Sequence, residues 1–227
     1  PNFASKDRTI MNNKLNIKIE QLKNINNIEL NLPIETGLYA ITGANGTGKS
    51  TIMTVISKVV RNSAFNVFQP HDYSFVSRNL SYLLHGNYDF YTNLKRIKNR
   101  TLAQLKAFKG IPYFIEGTNG IVNQFCMSAG ENMLISLLHM LNVVIVRPAK
   151  SEDVRLILID EIELALHPSA IMRLVDFLQK LATEYNLAIY FSSHSIELLR
   201  KIKPSNIFHL QKELDNIAIV NPCYPSY

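Results

Sequence analysis

The stretch Gly43-Ala44-Asn45-Gly46-Thr47-Gly48-Lys49-Ser50-Thr51 limits what this chain can fold into more than any other. It fits the phosphate-binding pattern G-x-x-x-x-G-K-[ST]. The glycines let the backbone bend until successive N–H groups point inward at phosphate oxygens. Lys49 is spaced to reach the β- and γ-phosphates, and the Ser50 hydroxyl to bind Mg²⁺. The flanks agree with this reading. Residues 37–42 form a short apolar run expected to be a buried strand. Ile52, Val55, Ile56, Val59 and Val60 then recur at helical spacing. Strand, glycine loop and helix together aim a helix N-terminus at the bound anion. A chance match in an ordinary turn would lack both flanks.

Composition bounds the rest. A chain of 227 residues, 47% of them hydrophobic, can bury a sizeable core, and a single domain with a small insert is the natural expectation. No apolar run approaches the length of a membrane span, and nothing near the start resembles a signal peptide; a cytoplasmic protein is expected. Residues 1–13 are expected to be disordered or foreign. The chain lacks a leading Met while Met11 lies inside, which leaves residues 1–10 open between a cloning remnant and a processed end. Cys126 and Cys223 make neither a disulfide framework nor a metal spacing. The net charge of +6 is compatible with nucleic-acid contact without showing it.

Along the chain, Leu15, Ile17 and Ile19 alternate with polar residues, as do Ile28, Leu30 and Leu32, which predicts two antiparallel strands ahead of the glycine loop. The polar stretch between them reads as a turn, and Pro33 ends the second strand. Residues 61–125 carry aromatic residues and frequent turn signals, and read as a smaller, partly β insert with Gln69 near its entrance. Lys95, Arg96, Lys98 and Arg100 lie in it with no acidic residue between positions 90 and 115. Such a row could grip a phosphate backbone or be a solvated face.

Ser128 and Glu131 then have capping-box spacing at the head of an amphipathic helix. Such a helix tip is either just well capped or an anion site. Residues 154–159 form an apolar strand running into Asp160 and Glu161. Adjacent carboxylates at a buried strand end call for a cation: Asp160 suits Mg²⁺, and Glu161 would stand where a base for an attacking water is needed. His167-Pro168 opens another helix. Residues 187–191 form the next apolar strand, which runs into Ser192-Ser193-His194-Ser195. In a parallel sheet it would end on the same edge as the Asp-Glu strand, the edge where open α/β sheets bind ligands. Two closing strands are expected at 207–210 and 217–220.

Four stretches in this order, GANGTGKST, MSAGE, LILIDEIELALHP and FSSHS, resemble the ABC-superfamily ATPases. The resemblance runs from Leu15 to about Val220 and is strongest to SMC- and RecF-like heads and OLD-type ATPases. It implies an α/β fold with a mostly parallel central sheet, an N-terminal antiparallel β subdomain and a small inserted subdomain. It also implies an ATPase using ATP and Mg²⁺. Asn45, Gly46, Thr47, Gly48, Lys49, Ser50 and Thr51 would hold the phosphates; Ser50, Asp160 and Gln69 would serve the metal. Glu161 would activate water, and His194 and Lys49 would act on the γ-phosphate. Ser128 and Gly130 would reach the nucleotide of a second subunit, so that a homodimer closes around ATP.

Two departures from transporter cassettes favour the DNA-associated and OLD-like side. Glu131 follows Met-Ser-Ala-Gly, and His167-Pro168 replaces the usual aspartate; His167 could face an opposing site or cap its helix. Only about 57 residues separate Gln69 from Cys126, too few for a long coiled coil. OLD-type proteins generally carry a nuclease domain after the head, so a nuclease is expected as a separate partner or in a part of the protein not included. Three readings follow: an ATPase controlling an effector such as a nuclease, in DNA-associated or anti-phage work; the nucleotide-binding subunit of a membrane transporter; and an assembly switch with little turnover.

Overall fold

The structure, a computed structural model, describes residues 9–11, 13–22, 25–60, 74–97, 99–105, 108, 110–117, 120–147, 153–163, 165–213 and 216–225. The chain divides into two compact units: Pro1–Ser63, Lys150–Glu163 and Val175–Tyr227 make the first, and Ala64–Ala149 with Leu164–Leu174 the second.

In the first unit, β1 (Thr9–Met11), β2 (Lys14–Leu22) and β3 (Ile25–Pro33) form an antiparallel sheet. Its register follows from the period-2 pattern. Leu15 faces Leu32, Ile17 faces Leu30 and Ile19 faces Ile28, all buried. The strands run further toward their turn than the polar composition of residues 21–27 suggests. Ile25 is the reason: it is 1% exposed, and burying it extends β3 through a polar run.

A five-stranded sheet has the order β11-β10-β4-β9-β8, built from β4 (Gly37–Gly43), β8 (Arg155–Ile159), β9 (Leu187–Ser192), β10 (Ile207–Glu213) and β11 (Asn216–Val220). All neighbours are parallel except the β10–β11 pair. Helix α1 (Lys49–Val60) follows β4 and buries Ile52, Met53 and Ile56. These side chains share one core with the buried face of the antiparallel sheet and with Ile41, Tyr190, Phe208 and Leu210 of the parallel one. Every residue of β9 is buried, as a central parallel strand requires. Tyr190 stacks on Tyr39 with centroids 4.6 Å apart, and its hydroxyl donates to the Pro33 carbonyl at 2.7 Å, pinning the end of β3 to β9. The unit also holds the C-terminal part of α5 (Pro168–Tyr185) and the short α6 (Ile196–Leu199).

The second unit contains α2 (Ser74–His85), the antiparallel strands β5 (Leu94–Arg96), β6 (Tyr113–Gly117) and β7 (Gly120–Asn123), α3 (Arg100–Leu105) and α4 (Ala129–Val146). Helix α4 packs on α2. It has 18 residues and a mean hydropathy of 1.5, enough by length and composition to cross a membrane. The expectation that no apolar run approaches this length rested on Glu131, Asn132, His139 and Asn142, which interrupt the helix and lower its mean hydropathy without taking it out of that range. Leu134, Ile135, Leu138 and Leu141 are fully buried, so in the fold this apolar side is the core of the second unit.

Candidate functional site

Strand β4 stops where the backbone turns out of the sheet at Gly43, with φ +147°. A Cβ there would lie 2.5 Å from the Leu210 carbonyl and 2.8 Å from Thr47 Oγ1, so only glycine fits under the loop. Gly46 and Gly48 follow at φ +80° and +90°. Thr47 folds back, its hydroxyl donating to the Ala44 carbonyl at 2.8 Å. Ile52 N–H bonds the Gly48 carbonyl at 2.9 Å, starting α1 directly beyond the loop. No acidic residue occupies the first turn of α1, so the positive end of the helix dipole is left uncompensated. Lys49 is 7% exposed, and its ammonium donates to the Gly43 and Ala44 carbonyls at 3.0 and 3.1 Å. Burial holds its pKa below the ordinary lysine value, against the opposing charges of Glu161, Asp160 and Glu163.

Strands β8 and β9 lie side by side in parallel, and β9 in turn flanks β4, which brings their C-terminal ends to one edge. Ser192, fully buried at the end of β9, organises the turn beyond β8. Its hydroxyl donates to Asp160 Oδ1 at 2.5 Å and accepts the Glu161 N–H at 2.7 Å, while its carbonyl accepts the Ile162 N–H at 3.3 Å. Glu161 takes a left-handed conformation, φ +51°, uncommon for a residue with a side chain. Ser193 N–H reaches back to the Ile41 carbonyl at 3.2 Å, and His194 N–H donates to Glu163 Oε1 at 2.6 Å.

At this edge the first unit has an open cavity of about 310 Å³. Its walls are Asn45, Gly46 and Gly48 of the loop, Lys49, Ser50 and Thr51 of α1, and Ile25, Glu161 and His194. The cavity thus gathers most of the residues singled out in the sequence from three separate stretches. Thr47 lies buried beneath the loop, and Asp160 sits at the strand end, bonded to Ser192. Gln69 falls outside the described residues. Sequence reasoning missed Ile25, hidden in a polar run, and Ser192, whose hydroxyl shows its use only when β8 and β9 are adjacent.

In the second unit, Ser128 caps α4 and forms a complete capping box with Glu131. Its hydroxyl donates to Glu131 Oε2 at 2.6 Å, and Tyr91 Oη donates to Glu131 Oε1 at 2.5 Å. Gly130 is buried; a Cβ there would come within 2.5 Å of the Ala165 carbonyl, which accounts for glycine at this position. His167 acts at the start of α5: its Nδ1 accepts the Ser169 N–H at 3.3 Å, and its carbonyl accepts from Ala170 and Ile171. In the basic row, Lys95 forms an exposed ion pair with Glu116, Arg96 lies over the Tyr113 ring, and Lys98 is outside the described residues.

The family model described as "AAA domain, putative AbiEii toxin, Type IV TA system" matches residues 59–200, more than half of the chain. The chain belongs to this family. Its fold is similar to an SMC head solved bound to the C-winged helix domain of ScpA, with TM-score 0.61 and 14% identity over 92% of this chain and 96% of that one. The SMC head domain from Thermotoga maritima matches with TM-score 0.50 and 13% identity over 85% of this chain and 93% of that one. No curated protein matches. Identities this low speak for the fold alone. The family's AAA domain and the SMC-head-like fold together bear out the resemblance to an ABC-superfamily ATPase head.

Proposed function

We propose that this protein hydrolyses ATP, that two copies close around the nucleotide, and that the cycle controls a partner effector. The observation that carries the reading is the convergence of the glycine loop, Glu161 and His194 on one cavity. The loop N–H groups, Lys49 and Thr51 would bind the phosphates, and the apolar Ile25 side chain offers a surface to the rest of the nucleotide. The oxygen donors Ser50 and Asp160 suit Mg²⁺, a hard cation. Among the described residues no group of three or more His, Cys, Asp or Glu could hold a metal. Mg²⁺ commonly takes further oxygen ligands from the phosphates it accompanies. When bound, it neutralises charge developing on the phosphates.

Glu161 would take the proton of the attacking water, and His194 would contact the γ-phosphate. The Ser128 tip of α4, capped and exposed, would meet the nucleotide of the other copy, its hydroxyl turning from Glu131 to phosphate. Losing the γ-phosphate would remove the bridge and let the pair part. An OLD-like role fits the Asp160–Pro168 stretch, and with it an effector, such as a nuclease, in DNA-associated or defence work; the toxin–antitoxin system in the family's description is compatible with such a setting.

The test uses two variants. Lys49→Ala should abolish ATP binding measured by calorimetry. Glu161→Gln should bind ATP, lose hydrolysis by about a hundredfold or more, and elute as a dimer only with ATP. Tight binding by Lys49→Ala, or a Glu161→Gln variant that stays monomeric with ATP, would overturn the reading. A parental protein that dimerises with ATP without measurable turnover would leave an assembly switch instead.

A further inference from the structure

Strand β9 ends at Ser192, and the backbone from Ser193 to Ser195 has no regular structure. The His194 N–H is therefore not held by the sheet. It is held by a carboxylate 31 positions earlier in the chain, Glu163 Oε1, at 2.6 Å. Among the described residues, the other hydrogen bonds between the Asp160–Glu163 turn and the β9 end pass through Ser192. Glu163 alone, among the described residues, reaches past the strand end to the histidine that lines the cavity.

The other oxygen, Glu163 Oε2, is closed off from solvent and has no hydrogen-bond partner. A carboxylate kept half-satisfied is costly. A neutral glutamine could accept the same N–H and would relieve the excess negative charge beside a phosphate site. Yet a charge-assisted bond is shorter and stronger than a neutral one. The turn it anchors is already strained at Glu161, φ +51°, and needs holding.

We propose that Glu163 is a positioning residue for hydrolysis: by clamping the His194 backbone it fixes the His194 loop to the Asp160-Glu161 turn, so that base and histidine face the γ-phosphate as one rigid piece. This rests on the roles of Glu161 and His194 proposed above. Glu163 does not line the cavity and acts through the His194 backbone it holds. Its loss should therefore lower kcat and spare ATP binding, which the glycine loop supplies.

The experiment is steady-state ATP hydrolysis by the full chain for Glu163→Ala, Glu163→Gln, His194→Ala and the double variant Glu163→Ala/His194→Ala. Glu163→Ala is expected to lose about tenfold or more in kcat with KM for ATP within about threefold. Glu163→Gln, which keeps an acceptor for the His194 N–H, should recover most of that loss. The double variant should lose clearly less than the product of the two single losses, since part of what Glu163 positions, the imidazole, is already gone in His194→Ala. If Glu163→Ala melts below the assay temperature, Glu163→Met, which keeps the stem and lacks only the acceptor, takes its place. An unchanged kcat, a Gln variant as poor as the Ala variant, or additive losses in the double variant would each overturn the proposal. If Glu161→Gln and His194→Ala hydrolyse ATP at the parental rate, the parent reading fails. If those two are impaired while Glu163→Ala is not, only this proposal fails.

Discussion

Three glycines of one loop share a backbone conformation that other residues avoid, but an added methyl group would meet different surroundings at each. At Gly43 it would strike the Leu210 carbonyl of the neighbouring strand, which cannot move without disturbing β10. At Gly48 it would press on the end of the Ile25 side chain at 2.9 Å, which can rotate in part. At Gly46 it would enter open space, so only the backbone strain at φ +80° remains, about 1–2 kcal/mol. Chemical denaturation should rank the alanine variants in that order: Gly43→Ala worst, by more than about 3 kcal/mol, then Gly48→Ala, then Gly46→Ala. A Gly43→Ala variant as stable as Gly46→Ala would contradict the packing described for the loop. The sequence motif marks all three glycines alike; the difference lies in Leu210 and Ile25, which the motif does not contain.

Helix α4 shows how an element inherits pH sensitivity from what it packs on. His139 bonds Tyr113 Oη of β6 at 3.0 Å and is pushed down to about 4, by burial first and by the Arg96 charge second. In the unfolded chain its pKa is near 6.5. Between these values the unfolded chain binds the extra proton and the folded one does not, so stability falls as pH drops from about 6.5 toward 4 and is unaffected by this group above that window. Unfolding midpoints measured across the window should fall more steeply for the parent than for His139→Gln; parallel slopes would place the acid sensitivity elsewhere. At the head of the same helix, Ser128 and Glu131 were legible as a capping box from their spacing alone. Tyr91, which holds Glu131 from 40 positions away, was not.

Over the whole molecule, the basic row is less free than its composition suggests. Lys95 forms an exposed ion pair with Glu116, one residue beyond the stretch free of acids, and Arg96 is engaged with Tyr113 and the Ile111 carbonyl. If nucleic acid is gripped through this row, Arg100→Gln should reduce the salt dependence of duplex DNA binding, while Lys95→Gln should leave it nearly unchanged. Equal slopes for both variants and the parent would make the row a solvated face. The same contrast separates what could be read along the chain from what could not. Strand–loop–helix at Gly43, the alternation of Leu15–Ile19 and Ile28–Leu32, and the strands leading to Asp160 and His194 were legible because each depends on neighbours a few positions away: turn chemistry, side-chain period and local burial. The use of Ser192, the clamp from Glu163 to His194, the burial of Ile25 and the pairing of Lys95 were not. Each joins residues distant in sequence, and only the lateral order of the strands and the packing of buried faces brings their atoms within hydrogen-bonding or van der Waals range.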